Sequence, residues 1–346
     1  MRLARYFVLW SLLFCLAAMT AQARPKGEKS STANIESQAY AHYQKGEYAD
    51  AFAAYRKGAN MGSAKSQTFL GYMYADGRGT KKDLEQAFEW MNKAADQDYA
   101  TAEVSLGLMY QDGLGTAKDY GQALTWFSKA ARKGSSDAEN DLGVLYYHGL
   151  GTTQDYPNAF AWFNRAAQQG LASAENSLGF MYYTGRGTAQ NYEEAIDWFT
   201  KAANQGNPGA QQSLGWMYME GLGTRRDYIQ ALTWFGKSAQ QGFALAENNL
   251  GLMYFNGFGV QQNYAQAVAW FKKAAQQGSA NAESNLGYMY SKGLGVALDA
   301  ELAHAWLKKA ASHGSDNAKS LLASMGSRNA PQPDQDAASA AEPGAR

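Results

Sequence analysis

The stretch Leu214–Trp234, LGWMYMEGLGTRRDYIQALTW, decides the fold, because its pattern returns six more times along the chain without a change of spacing. Leu70, Leu106, Leu142, Leu178, Leu214, Leu250 and Leu286 fall 36 residues apart, and each is followed by glycine. Met or Leu and then Tyr come three and four positions later, as in Met73-Tyr74 and Leu145-Tyr146. Gly-x-Gly follows, from Gly77 and Gly79 through Gly293 and Gly295, and a tryptophan closes the pattern at positions 90, 126, 162, 198, 234, 270 and 306. A length of 346 residues would suggest two or three globular domains. A fixed internal period replaces that expectation with a row of stacked units.

Each unit divides into two helices. Ala210, Leu214, Met217 and Tyr218 stand at the i, i+4, i+7, i+8 spacing of one helical face. Gly215 lacks a Cβ and lets a neighbour approach closely, while Gly221 and Gly223 supply the left-handed backbone that ends the helix. The second helix is expected to start after Asp227. The matching positions hold Asp83, Asp119, Asp155, Asn191, Asp227, Asn263 and Asp299, all able to accept from the free amides of a first turn. Gln86, Gln122, Glu194, Gln230 and Gln266 lie three residues on and predict a reciprocal capping pair. Ala231, Trp234, Phe235 and Ser238-Ala239 form the second apolar stripe, which Gly242 stops. The repeats should therefore run over residues 63–314. Residues 35–62 shorten the scheme into an N-terminal capping helix pair, with Gly46-Glu47-Tyr48 in place of the Gly-x-Gly loop. Residues 315–325 supply a C-terminal capping helix with Leu322 on the leucine column. An array needs such caps because its end repeats otherwise leave an apolar face open.

The ends read differently. Residues 1–23 carry Arg2 and Arg5, an apolar run from Tyr6 to Ala18 broken only by Ser11, and the small-x-small triplet Ala21-Gln22-Ala23. This is the form of a secretory signal peptide cleaved after Ala23, and its run is short for a bilayer core of about 30 Å. The expected location is periplasmic or secreted, with no transmembrane segment in the mature chain. Cys15, the only cysteine, lies inside that run, so the remainder is expected to hold together by packing without disulfides. Residues 24–34 are polar and aperiodic, a linker; residues 326–346, with Pro331, Pro333 and Pro343 and no aromatic side chain, are expected to be a disordered tail. The 31 basic and 31 acidic residues are interspersed, and no basic stripe suited to nucleic acid is present.

A 36-residue unit reading A-x-x-x-LG-x-M-Y-x-x-G-x-G and then D-Y-x-x-A-x-x-W-F-x-K-A-A-x-x-G resembles the Sel-1-like repeat family, relatives of the tetratricopeptide repeats. The resemblance covers Ile35 to about Met325. It implies an all-α fold, an α/α superhelical solenoid whose first helices line a concave surface and which works as a protein-interaction scaffold. Bacterial relatives of this kind act in the envelope or at the host interface. The cysteine-rich, disulfide-clamped branch of the family does not match this chain.

Little in the sequence carries chemistry. His42, His148, His304 and His313 occupy unrelated positions in the repeat, so no metal site is expected. The Gly-x-Gly loops do not follow strands, which a dinucleotide fingerprint requires. Leu145 takes a place in the column of Met73, Met109, Met181, Met217, Met253 and Met289, as expected of core packing rather than of a copper site. With no paired acid and base or activated nucleophile, the chain reads as a non-enzyme without cofactor.

A ligand would meet the first-helix face opposite the leucine stripe. Two positions before the leucine stand Asn140, Asn176, Gln212, Asn248 and Ser284, a row of amides closed by a serine. Two after it come Tyr72, Leu108, Val144, Phe180, Trp216, Leu252 and Tyr288, and five after it Tyr147, Tyr183, Met219 and Phe255. The column two after the leucine either fills contacts between consecutive first helices or faces the groove; Trp216, Tyr183 and Phe255 are expected to be exposed. The candidate groove residues are Asn140, Asn176, Gln212, Asn248, Tyr147, Phe180, Tyr183, Trp216, Met219 and Phe255. Amides beside aromatics suit the backbone and side chains of an extended partner polypeptide, and suit equally a glycan such as peptidoglycan or an exported polysaccharide.

Overall fold

The computed structural model describes residues 31–328; the expected signal peptide and nearly all of the expected tail lie outside the described residues. Among the described residues the chain forms 17 helices in sequence and no strand. Among the described residues it divides into two compact units, one ending at Gln190 and the other beginning at Asn191. The first helix, Ser31–Gln44, begins ahead of the Ile35 boundary drawn from the sequence, and the last, Asp316–Arg328, runs on past Met325. Gly326 weakens a helix by only about 1 kcal/mol and does not by itself end one.

In both units the core is built from the second helix of one unit of the array and the first helix of the next. In the first unit, Ala123, Phe127, Ala130 and Ala131 pack on Ala138, Leu142 and Leu145. In the second, Ala231, Phe235 and Ala239 pack on Ala246, Leu250 and Met253. Each such leucine or phenylalanine, fully withdrawn from water, contributes roughly 1.5–3 kcal/mol. The ring in that layer is phenylalanine: Phe127, Phe199 and Phe235 are fully buried, whereas Trp234 is only half-buried. The tryptophans instead lie under cations three residues on, as Lys237 Nζ stands 4.0 Å from the Trp234 ring centroid. The indole thus forms a wall between core and solvent, where its flat face is usable by an ammonium group.

Two glycines of the unit have separate spatial reasons. A Cβ on Gly215 would lie 2.5 Å from the Phe235 ring of the same repeat, so this glycine makes room for the buried phenylalanine. A Cβ on Gly223, whose φ is +68°, would lie 2.7 Å from the main-chain carbon of Tyr192 in the preceding repeat. The loop therefore sits directly on the start of a neighbouring second helix.

The seven predicted N-caps all form, each Asp or Asn side chain accepting from first-turn amides. The reciprocal half of the capping box is not seen at Gln86, Gln230 or Gln266. The cap residue's own N–H is already used: Asp83 donates to the Tyr74 carbonyl at 2.9 Å, Asp227 to Tyr218 at 2.8 Å and Asn263 to Tyr254 at 2.9 Å. That bond closes the Gly-x-Gly loop, leaving Gln86 to donate to Glu89 at 3.2 Å.

One polar layer has no counterpart in the apolar pattern. Three positions before each leucine stand Gln67, Glu103, Glu139, Glu175, Gln211, Glu247 and Glu283, all buried. Partners come from the end of the second helix of the same repeat, 30 residues on. Lys133 Nζ meets Glu103 at 2.8 Å, Gln169 donates to Glu139 at 2.7 Å, Gln277 to Glu247 at 2.8 Å, and His313 meets Glu283 at 2.8 Å. A buried carboxylate is tolerable only with such a partner. This pairing fixes the two helices of a repeat at the end opposite the Gly-x-Gly loop.

Candidate functional site

In the first unit the first-helix faces form a cavity of about 480 Å³. It is open to solvent and lies between two consecutive repeats. Val144, Tyr147, His148 and Phe163 come from one; Asn176, Ser177, Phe180, Met181 and Arg186 come from the next. Helix Ser136–His148 presents Val144 and Tyr147 one turn apart, and helix Ala172–Thr184 presents Asn176 and Phe180 one turn apart. Each helix ends on a left-handed glycine, Gly149 with φ 68° and Gly185 with φ 71°. The loop after Gly185 returns Arg186 toward the preceding repeat.

Arg186 Nη1 donates to the Tyr147 hydroxyl. Its guanidinium carbon stands 5.6 Å from the centroid of Tyr147 and 5.4 Å from that of Tyr156, whose rings meet edge to face at 5.1 Å. The hydrogen bond to Tyr147, and then the fields of both tyrosines, push its pKa above the ordinary arginine value. His148 is exposed, with its ring edge-on to Tyr147 at 5.0 Å. Phe180 keeps 42% of its surface exposed and stacks on Tyr183 at 6.3 Å. Toward the start of helix Ser136–His148, burial pushes the Asp141 carboxyl up to about 7; Asp137 adds a like charge and the Asn140 amide partly offsets both. Asn140 is half-buried, and its Oδ1 has no protein partner.

The cavity therefore gathers Tyr147, Asn176 and Phe180 from the residues expected to meet a ligand. Tyr183, expected to be exposed, is instead half-buried beside it, stacked with Phe180. Gln212, Trp216, Met219, Asn248 and Phe255 lie in the second unit. Trp216 is exposed at 36%; Gln212 is half-buried, as is Met219, which packs on the core of Ala231, Phe235 and Leu250. Phe255 is not the open ring expected: it is half-buried, 5.4 Å from the Tyr264 ring and 6.2 Å from Tyr288. Asn248 departs from the expected amide row. It is 5% exposed, and its Oδ1 accepts from Asn285 at 3.0 Å, so its amide serves the interface between first helices. The column two after the leucine splits likewise: Tyr72 is half-buried with its hydroxyl 2.8 Å from Ser105, while Phe180, Trp216 and Tyr288 stay exposed.

Arg186 is the cavity residue that the helical periodicity does not reveal. It is the middle residue of a Gly-x-Gly, where the other repeats carry Arg78, Leu114, Leu150, Leu222, Phe258 and Leu294. The signal was the exchange of leucine for arginine with a tyrosine 39 residues upstream. Among the described residues His42, Glu47 and Asp50 also bring ligand-type atoms within 4.8 Å of one another. His42 and Glu47 hydrogen-bond at 2.6 Å across the turn between the first two helices, facing solvent. No helix of the described residues is long and apolar enough to cross a membrane.

The repeat and its geometry have close counterparts. A protective antigen of uropathogenic Escherichia coli with an SLR fold is 39% identical, with a TM-score of 0.70 over 81% of this chain. The match spans 60% of that antigen's length. A Sel1 repeat protein from Oxalobacter formigenes is 31% identical with a TM-score of 0.66, covering 90% of this chain and 99% of its own. A search of curated proteins finds no match. The Sel1 repeat is matched seven times in succession, at residues 64–99, 100–135, 136–171, 172–207, 208–243, 244–279 and 280–315, so the chain belongs to the Sel1 repeat family.

Proposed function

We propose that the protein is an extracytoplasmic adaptor that holds a partner polypeptide against the first-helix faces of its array. The observation that carries this reading is the cavity between consecutive repeats, where Tyr147, Phe180 and Val144 offer apolar surface beside the Asn176 amide. A volume of about 480 Å³ accommodates two or three amino-acid side chains and falls within the range of specific pockets. Aromatic rings ordered on rigid helices bind with little loss of side-chain freedom, and an amide one turn away supplies both a donor and an acceptor for a partner's backbone. Nothing in the cavity pairs an acid with a base around a reacting position, so the action proposed is binding rather than turnover.

The test is recovery of a partner from envelope extracts by the purified chain, compared with Asn176→Ala and Phe180→Ala. Both variants should keep the parent's helical circular dichroism and lose the partner. Undiminished recovery by both, or binding to cell-wall polysaccharide in place of protein, would overturn the reading.

A further inference from the structure

We propose that the cavity between the repeats at 136–171 and 172–207 is an anion-recognition pocket, in which Arg186 takes a carboxylate of an extended polypeptide beside an apolar side chain resting on Val144 and Phe180. This deepens the adaptor reading and rests on it.

Among the cavity-lining residues Arg186 is the one that is always ionised, and no carboxylate lines the space. Among the described residues it has no acidic partner within salt-bridge distance, and its polar contact is one bond to Tyr147. A guanidinium has five N–H donors in a planar fork. The two tyrosines, which meet edge to face, hold that fork against them through one hydrogen bond and two ring contacts, and leave most of its donors for a ligand. A carboxylate matches it with two parallel hydrogen bonds, an arrangement stronger and more directional than a contact between neutral groups. His148, exposed beside Tyr147, adds no negative charge.

The control is Arg78, at the same place in the first repeat. It too donates to a tyrosine hydroxyl, Tyr43, and lies 5.5 and 5.4 Å from the rings of Tyr43 and Tyr48. There, however, Nε stands 3.5 Å from Asp76 Oδ2, and the crevice they share leaves no water-sized space. The residue that corresponds to Asp76 in the later repeat is Thr184, whose hydroxyl turns back to the Phe180 carbonyl at 2.9 Å. One arginine carries its own carboxylate; the other is built the same way without it, and an open cavity stands in front.

The experiment is selection of random peptides on the purified full chain, from one library with free C-termini and one with amidated C-termini. Peptides bearing Asp or Glu next to an apolar residue, or a free C-terminal carboxylate next to one, should be enriched; the two libraries separate these sources. Arg186→Leu installs the residue that Leu114 and Leu150 hold in other repeats and should weaken the selected peptides about tenfold or more. Thr184→Asp, which supplies the carboxylate Arg78 already has, should weaken them similarly, whereas Thr184→Asn should bind as the parent does. Enriched peptides without an acid, equal binding by Arg186→Leu, or equal effects of Thr184→Asp and Thr184→Asn would overturn the anion pocket and leave the adaptor standing. Failure of both libraries to yield a binder would overturn the polypeptide adaptor and this inference with it.

Discussion

Arg78 and Arg186 occupy one position of the repeat, each against two edge-to-face tyrosines of the preceding helix pair, yet one is closed and the other open. The tyrosine that receives the hydrogen bond lies 35 residues before Arg78 and 39 before Arg186, because the turn between the first two helices is shorter. That turn brings Tyr48 to the place of Tyr156, so the first helix pair reproduces the tyrosine pair with a different loop. The neighbours differ at Asp76 against Thr184 and, in the lining, at Phe69 against Ser177 and Tyr72 against Phe180. The array thus uses one structural device twice, once closed around a carboxylate within the same repeat and once open.

The comparison can be broken at several depths. The deepest is the loop that both arginines share. A Cβ on Gly79 would come within 2.0 Å of the Tyr48 carbonyl oxygen, and one on Gly187 within 2.3 Å of the Tyr156 oxygen, each at a φ near +70°. Gly79→Ala and Gly187→Ala should each cost on the order of 3 kcal/mol in urea unfolding, since neither a backbone carbonyl nor a left-handed alanine can give way easily. A large loss at one and not the other would show that the two loops are seated differently.

A second, smaller effect belongs to the helix that carries Tyr147. Its Asp141 has a folded pKa of about 7, raised above the unfolded value, so the folded state holds the extra proton between about pH 4 and 7. Stability should therefore fall as pH rises through that window and level off above it. Asp141→Asn should remove the slope and stabilise the chain above pH 7 by on the order of 1–3 kcal/mol, a range kept modest because Asp141 is partly open to solvent, with the gain vanishing toward pH 4. The corresponding turn of the cap helix has Ser37, six residues before Tyr43, and adds no such slope. Unfolding midpoints between pH 4 and 8 read both statements.

The smallest effect separates the arginines themselves. Arg78→Leu should cost about 1–2 kcal/mol, because it strands a partly buried Asp76 and removes two ring contacts. Arg186→Leu should lower the thermal midpoint less, since it gives up two ring contacts at an exposed guanidinium but strands no carboxylate, and leucine fits the same loop elsewhere. Equal destabilisation would mean that Arg186 is there for the fold.

Most of the fold could be read in the sequence because Leu214, Gly215, Met217 and their copies answer to one geometric demand repeated every 36 residues. The site was legible where it follows helical periodicity: Asn176 and Phe180 stand one turn apart, and Tyr147 shares its face with Val144. Arg186 escaped because its partner is 39 residues away and its glycine neighbours looked like punctuation alone. The buried glutamates escaped for a related reason. A charged residue such as Glu139 reads as solvated until Gln169 and Arg165 are seen to meet it. Asn248 misled in the opposite direction, since its column is half-open at Asn176 and Gln212 and closed by Asn285 one repeat further on.

The glutamate bridge has a consequence for how such a chain can change length. Glu139 and Gln169 belong to one repeat, as do Glu103 and Lys133, so a duplicated 36-residue block arrives with both halves of its own clasp. The seam to the next block is a glycine against main chain, as at Gly187 on Tyr156, together with a phenylalanine and leucine core that every block supplies alike, as at Phe127 on Leu142. Copies can accordingly be gained or lost in whole blocks without orphaning a buried charge, whereas a break in the middle of a block would strand one. The anion pocket follows the opposite rule. It needs Tyr147 from one block and Arg186 from the next, so a block inserted between them would lengthen the chain and erase the pocket in the same event.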